Sequence, residues 1–158
     1  MICMQDVASN SMFAIDTNLL VYAHNADSKF HEPAKEFIGN ILNTRDDAGN
    51  FQVCIPAQVL IEFINVITWS KLESPLPLPD ALNLVKQYRD TGVTILHHKT
   101  SQLDTLLTLF ESVTTRKKVF DIALAATLKD NEIKGLYTVN TKDFVGFDFL
   151  DVVNPLVS

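Results

Sequence analysis

Asp16 directly follows the apolar run Phe13-Ala14-Ile15, and Glu62 lies inside Val59-Leu60-Ile61-Glu62-Phe63-Ile64. Asp121 stands in Val119-Phe120-Asp121-Ile122-Ala123-Leu124-Ala125-Ala126, a segment otherwise wholly apolar. A carboxylate in such surroundings is costly unless it is paired, hydrogen-bonded or bound to a metal. A fourth apolar stretch is followed by Asn140 and Asp143. Taken together, these residues suggest a buried acidic cluster built for a divalent cation. All-oxygen donors suit Mg²⁺ or Mn²⁺ rather than zinc. Such a site can activate water and neutralise charge on a phosphodiester.

Residues three, four and seven apart on a helix share a face. Around Glu62 that face carries Val59, Val66 and Trp69, and around Asp121 it carries Leu124, Ala125 and Leu128. Both acids are therefore expected to project from helix faces turned towards the core. The alternative is a buried acid satisfied by a cap or by a Lys or Arg. For Asp121 a helix N-terminal position would also suit a negative charge.

The elements that must position these acids alternate along the chain. Strands are expected over about 12–15, 51–55, 93–96, 135–138 and 151–153. Helices are expected over about 18–24, 31–43, 56–72, 79–91, 101–113 and up to 130 from Asp121. Residues 44–50 read as a polar loop, and Pro75, Pro77 and Pro79 mark an ordinary inter-helix loop. Thr100 or Ser101 is expected to cap the fifth helix. Short strands, apolar on both faces, alternating with helices predict a parallel sheet covered on both sides. In such sheets ligands bind beyond the carboxyl ends of the strands. Asp16 and Asn140 both fall at that edge.

The chain has 158 residues, 47% of them hydrophobic, enough to bury the core of one domain of ordinary size. We read residues 1–158 as a single domain with its core over about 13–153. Apolar runs fall short of a membrane span, and residues 1–12 lack the features of a secretory leader. Two widely spaced cysteines, Cys3 and Cys54, form no zinc motif and fit a reduced, cytoplasmic setting. A net charge of −6 argues against a generic basic nucleic-acid binder. The one dense basic run, Arg116-Lys117-Lys118, precedes Asp121 and could attract a nucleic-acid strand, or could be a solvated loop. No Gly-rich phosphate loop is present. His24, His31, His97 and His98 show no paired metal-ligand spacing and are expected at the surface or in supporting positions. Phe63 and Trp69 are expected in the core. The helix from about Pro79 to Tyr88 could contribute to a dimer surface.

These motifs resemble those of the PIN domain, a family of metal-dependent ribonucleases, over nearly the whole chain from Phe13 to Val153. The first is Ala14-Ile15-Asp16-Thr17-Asn18-Leu19-Leu20-Val21-Tyr22, similar to the family's apolar strand, Asp, Thr or Ser, Asn, and apolar residues. Glu62 in the helix after the second strand is the second. Asp121-Ile122-Ala123-Leu124-Ala125-Ala126 resembles the family's Asp followed by a small-residue helix, and Thr138-Val139-Asn140-Thr141-Lys142-Asp143-Phe144 its closing motif.

The resemblance implies a three-layer α/β/α sandwich with a central parallel sheet. It implies that Asp16, Glu62 and Asp121 are the core ligands of Mg²⁺ or Mn²⁺, with Asp143 as the fourth acid. Asn140 occupies a position that is acidic in many relatives, which weakens the case for a second ion. Thr17, Asn18 and Thr138 would support the acids, with local capping as the alternative role. A single compact domain of this kind is similar to the toxin subunits of VapBC-type toxin–antitoxin pairs. That likeness implies an endoribonuclease that forms a homodimer and is inhibited by a small antitoxin.

Two other readings use the same residues. An aspartate-based phosphatase would explain Asp16 after the first strand. Its usual motif, however, wants a second Asp two residues later, where this chain has Asn18, and Glu62 would have no role. A non-catalytic PIN-like scaffold that binds RNA or a partner is the other. Against it, an idle acidic cluster is a standing electrostatic cost.

Overall fold

Five short parallel strands form one sheet in the order β3-β2-β1-β4-β5. They are β1 (Phe13–Ile15), β2 (Val53–Pro56), β3 (Thr94–Leu96), β4 (Gly135–Tyr137) and β5 (Asp151–Val153). The structure, a computed structural model, describes residues 12–113 and 119–157. Cys3 and the basic run Arg116-Lys117-Lys118 lie outside the described residues.

Among the described residues six α-helices connect the strands: α1 (Thr17–His24), α2 (His31–Asn43), α3 (Ala57–Ile67), α4 (Leu78–Asp90), α5 (Gln102–Phe110) and α6 (Val119–Asp130). From β1 the chain steps outwards to β2 and then β3, carrying α1 to α4. It then returns past β1 to β4, carrying α5 and α6. Crossovers between parallel strands are right-handed, so this reversal puts α5 and α6 on the opposite face from α1–α4. The packing agrees: α1 packs on α2 and α3, α3 packs on α4, and α5 packs on α6. This is the three-layer α/β/α sandwich that the alternation predicted. The reversal falls between β1 and β4, and at such a switch point a crevice opens at the carboxyl ends of the strands.

The core fills both layers. Ala14 and Ile15 of β1, Val53, Cys54 and Ile55 of β2 and Leu136 of β4 are fully buried. Leu19 and Leu20 from α1, Phe63 from α3, and Ile122 and Leu128 from α6 cover them. In the β1–β4 pair Phe13 lies opposite Gly135, and a Cβ at position 135 would clash with the Phe13 ring. Gly92, with φ +86°, follows α4 in the left-handed conformation that ends many helices.

Several boundaries differ from expectation, each for a local reason. β2 starts at Val53 because Phe51 bridges instead to Arg45, closing a loop in which Asp46 accepts from the amides of Ala48 and Asn50. α3 ends at Ile67 rather than near residue 72. There the Thr68 hydroxyl donates back to the Ile64 carbonyl at 2.7 Å, and the Leu76 amide reaches back to the Ile67 carbonyl. Trp69 consequently leaves the helix and is 52% exposed, not buried. Ser101 stands at the N-terminus of α5 without capping it; its hydroxyl donates to Asp130, as does that of Thr105, tying α5 to α6.

Candidate active site

The sheet ladder fixes Asp16. Its amide donates to the Tyr137 carbonyl at 2.9 Å, extending the β1–β4 pairing one residue past β1. The chain then turns into α1, and one carboxylate oxygen of Asp16 accepts the Thr17 amide at 2.7 Å as the helix cap. The other accepts the Thr138 hydroxyl, also at 2.7 Å. Thr138 is itself held in place, its amide donating to the Val153 carbonyl of β5. Asp16 is thus buried in the crevice where the sheet reverses direction.

Thr17 also joins Asp16 to the second acid. Its hydroxyl donates to Glu62 Oε2 at 2.9 Å. Glu62 lies at the margin of α3: Val59, Leu60, Phe63 and Ile67 form the buried stripe, Glu62 is half-buried, and Ile61 is exposed. The expectation of a fully core-facing acid is corrected to this edge position. An edge position is the one that lets a carboxylate be both oriented and reachable.

Asp143 arrives on a single 3-10 turn, Thr141–Asp143, anchored by the fully buried Phe144. Burial is the main cause that raises the Asp16 carboxyl above its ordinary value, and the negative charges of Glu62 and Asp143 raise it further. The bonds from Thr138 and Thr17 pull the other way. Glu62 and Asp143 therefore both lie near enough to Asp16 for their charges to act on it. Asp121 is half-buried in the first turn of α6, whose next residues Leu124, Ala125 and Leu128 are buried as expected.

One residue that pattern reading passed over ties these parts together. Gln58 Nε2 donates to Glu62 Oε1 at 3.1 Å and to the Phe120 carbonyl at 3.0 Å. It therefore links α3 to the residue immediately before Asp121. Its place four residues ahead of Glu62 on the same helix was the available signal.

The remaining expected residues separate. Asn140 is exposed, and its amide donates to the Thr138 hydroxyl oxygen at 3.1 Å. The Asn18 side-chain oxygen is buried with no hydrogen-bond partner, alone in this among the described residues. His24 bonds the Tyr88 hydroxyl at 2.6 Å and His31 the Tyr22 carbonyl at 2.9 Å, both away from the acids, while His97 and His98 are exposed. Burial pushes the Cys54 thiol up to about 12, so it is an inert core residue.

The donor set suits a hard divalent cation. It consists of carboxylates, at least two of them acting on a third that is buried. Among the described residues, no three His, Cys, Asp or Glu side chains stand close enough together to hold one ion as placed. Asp16 and Glu62 are joined through Thr17.

The profile of the PIN domain matches residues 13–150. The chain belongs to the PIN domain family. Ribonuclease VapC24 of Mycobacterium tuberculosis is 28% identical over 149 residues, 93% of this chain and 99% of the relative. Among solved structures, the PIN fold is shared with VapC20 of Mycobacterium tuberculosis, described as a sarcin-ricin loop cleaving toxin. That match has a TM-score of 0.62 and 15% identity over 87% of this chain and 95% of the other. A toxin–antitoxin complex from Klebsiella pneumoniae matches with a TM-score of 0.61 and 18% identity, over 90% and 97%. VapBC2 from Rickettsia felis, bound to a DNA fragment from its promoter, matches with 0.59 and 18%, over 90% and 98%. In the PIN domain described above, Asp16 and Thr138 lie at the carboxyl edge of the sheet, Thr17 joins Asp16 to Glu62 on α3, and Asp121 stands on α6.

Proposed function

We propose that this PIN domain is an endoribonuclease and the toxin of a toxin–antitoxin pair. The observation that carries the reading is Thr17: its amide binds Asp16 and its hydroxyl binds Glu62, so one residue sets the spacing of two acids from different elements. Membership of the PIN family and the likeness to a relative named as a ribonuclease support the same reaction.

Asp16, Glu62, Asp121 and Asp143 would hold Mg²⁺ or Mn²⁺. When bound, such an ion activates water for attack on phosphorus and neutralises charge on the phosphodiester. The rest falls to the chain's own groups. Thr138 and the Thr17 amide fix both oxygens of Asp16, so that this carboxylate does not rotate when substrate arrives. Gln58 holds Glu62 and the start of α6 in one register. Asn18 offers its unpartnered oxygen two residues from Asp16. Hydrolysis by water has no need of the ribose 2′-hydroxyl, so a preference for RNA comes from shape and contacts around the acids. Arg116, Lys117 and Lys118 are the candidate phosphate contacts.

A small antitoxin protein as inhibitor, a homodimer and a cytoplasmic location complete the proposal. Structural neighbours that are toxin–antitoxin assemblies support the first. Leu78 and Leu82 on α4, and Leu103 and Leu107 on α5, are exposed and suit an interface between copies. No helix among the described residues is long and apolar enough to cross a membrane.

The test is cleavage of a panel of end-labelled RNAs, tRNAs included, in Mg²⁺, in Mn²⁺ and in EDTA, with Asp121→Asn alongside. Metal-dependent cutting that disappears in the variant is the expected result. A folded wild type that binds metal and cuts no RNA in the panel would favour the scaffold.

A further inference from the structure

A cavity of about 540 Å³ opens beside Glu62 on the side away from Asp16's strand, between α3, the end of β3 and α6. Its walls include Ile61, Leu96, Phe120, His97 and His98, and Glu62 itself forms part of the rim. Phe120 is 73% exposed and Ile61 68%, although both stand on helices whose other apolar residues are largely buried. Large apolar side chains held open next to an acidic site are unusual unless something covers them.

The chemistry of the walls narrows the occupant. Among the described residues that line the cavity there is no Lys or Arg. It presents one aromatic face and two imidazoles, which can stack or hydrogen-bond. A flat, uncharged group with a polar edge fits these walls, and an unpaired nucleobase is such a group. The position fits as well. Gln58 bonds both Glu62 and the Phe120 main chain, which ties the residue carrying the ring to the acid.

We infer that this cavity is a subsite for one unpaired base of the RNA, stacked on Phe120 and bonded at its edge by His97 or His98. The base belongs to a nucleotide next to the bond being cut. This rests on the ribonuclease reading above.

The probes are two short fluorescent single-stranded RNAs of mixed sequence, one complete and one abasic throughout its centre, so that phosphates match and bases do not. Binding is measured in Ca²⁺, which suits carboxylate sites, by wild type, Phe120→Ala, Phe120→Trp and the double variant His97→Ala/His98→Ala. One lost base stack is expected to cost about tenfold in affinity. Wild type and Phe120→Trp should prefer the complete RNA by about that factor. Phe120→Ala should lose the preference while binding the abasic RNA as wild type does, and the double variant should lose part of it. Equal preference in wild type and Phe120→Ala overturns the subsite. That result would point to an apolar side chain of a partner protein as the occupant. If wild type cuts RNA in the panel above while Phe120→Ala changes nothing, only the subsite falls. If wild type neither binds nor cuts any RNA, the ribonuclease reading falls and takes the subsite with it.

Discussion

The Thr138 hydroxyl donates to Asp16 at 2.7 Å, joining the carboxyl ends of β4 and β1 across the point where the sheet reverses. Thr138 is fully buried and Asp16 nearly so. This bond is therefore made out of water, where losing one partner leaves the other unsatisfied. Thr138→Ala should lower stability by about 1–3 kcal/mol, and Thr138→Ser should restore most of it. Urea denaturation of the three proteins measures this. Equal midpoints for Thr138→Ala and wild type would mean that the bond contributes nothing.

Asp16 is held at a cost to the fold. Burial and the charges of Glu62 and Asp143 raise its carboxyl, so its ionised form opposes folding when no cation is present. In Asp16→Asn the amide can still accept from Thr17 and donate to the Thr138 oxygen. The metal-free variant should therefore melt higher than wild type by about 2–4 °C, the shift that ~1 kcal/mol gives a chain of this size. It should also lose cleavage. Thermal melts in EDTA decide the point, and a lower melting temperature for the variant would contradict it.

His24 gives the protein a pH dependence remote from the acids. Burial, followed by the positive charges of His31 and Lys35, holds its imidazole below the ordinary 6.5. The unfolded chain then takes up a proton before the folded one does as pH falls. Stability is complete above about 6.5 and declines as pH drops through the lower folded value. Melting temperatures followed from about pH 7.5 down to about 5.5 should fall in wild type and fall less in His24→Gln. Parallel curves would remove His24 as the cause.

Gly135 is required by the approach of β4 to β1. A Cβ there meets the ring of Phe13, which is itself packed against Tyr137 with centroids 4.5 Å apart. Gly135→Ala should destabilise by about 1–3 kcal/mol, as forced overpacking does. The double variant Phe13→Leu with Gly135→Ala should recover part of the loss, and chemical denaturation of both variants would show whether it does.

Much of the fold was legible because the chain alternates apolar strands and amphipathic helices with few ambiguities. The parallel sheet, with Asp16 at its carboxyl edge, follows from that pattern alone. What failed was set by side-chain bonds that periodicity does not register. Thr68 back-bonding to Ile64 ended α3 early and put Trp69 into solvent, and Arg45 bridging to Phe51 delayed β2. In the site, the acids were readable as costly charges in apolar segments. Gln58 was not, because a glutamine on a helix carries no such cost. Its importance comes from contact with Phe120, 62 residues away, which only the fold creates.

The most direct measurement is Mn²⁺ binding followed by electron paramagnetic resonance in wild type, Asp16→Asn, Glu62→Gln, Asp121→Asn and Asp143→Asn. Four acids serving one site predict that Mn²⁺ binds wild type and that Asp16→Asn, Glu62→Gln and Asp121→Asn each weaken it at least tenfold, with a smaller loss for Asp143→Asn. Wild-type affinity in Asp16→Asn or in Asp121→Asn, with the fold intact, would contradict a shared metal site.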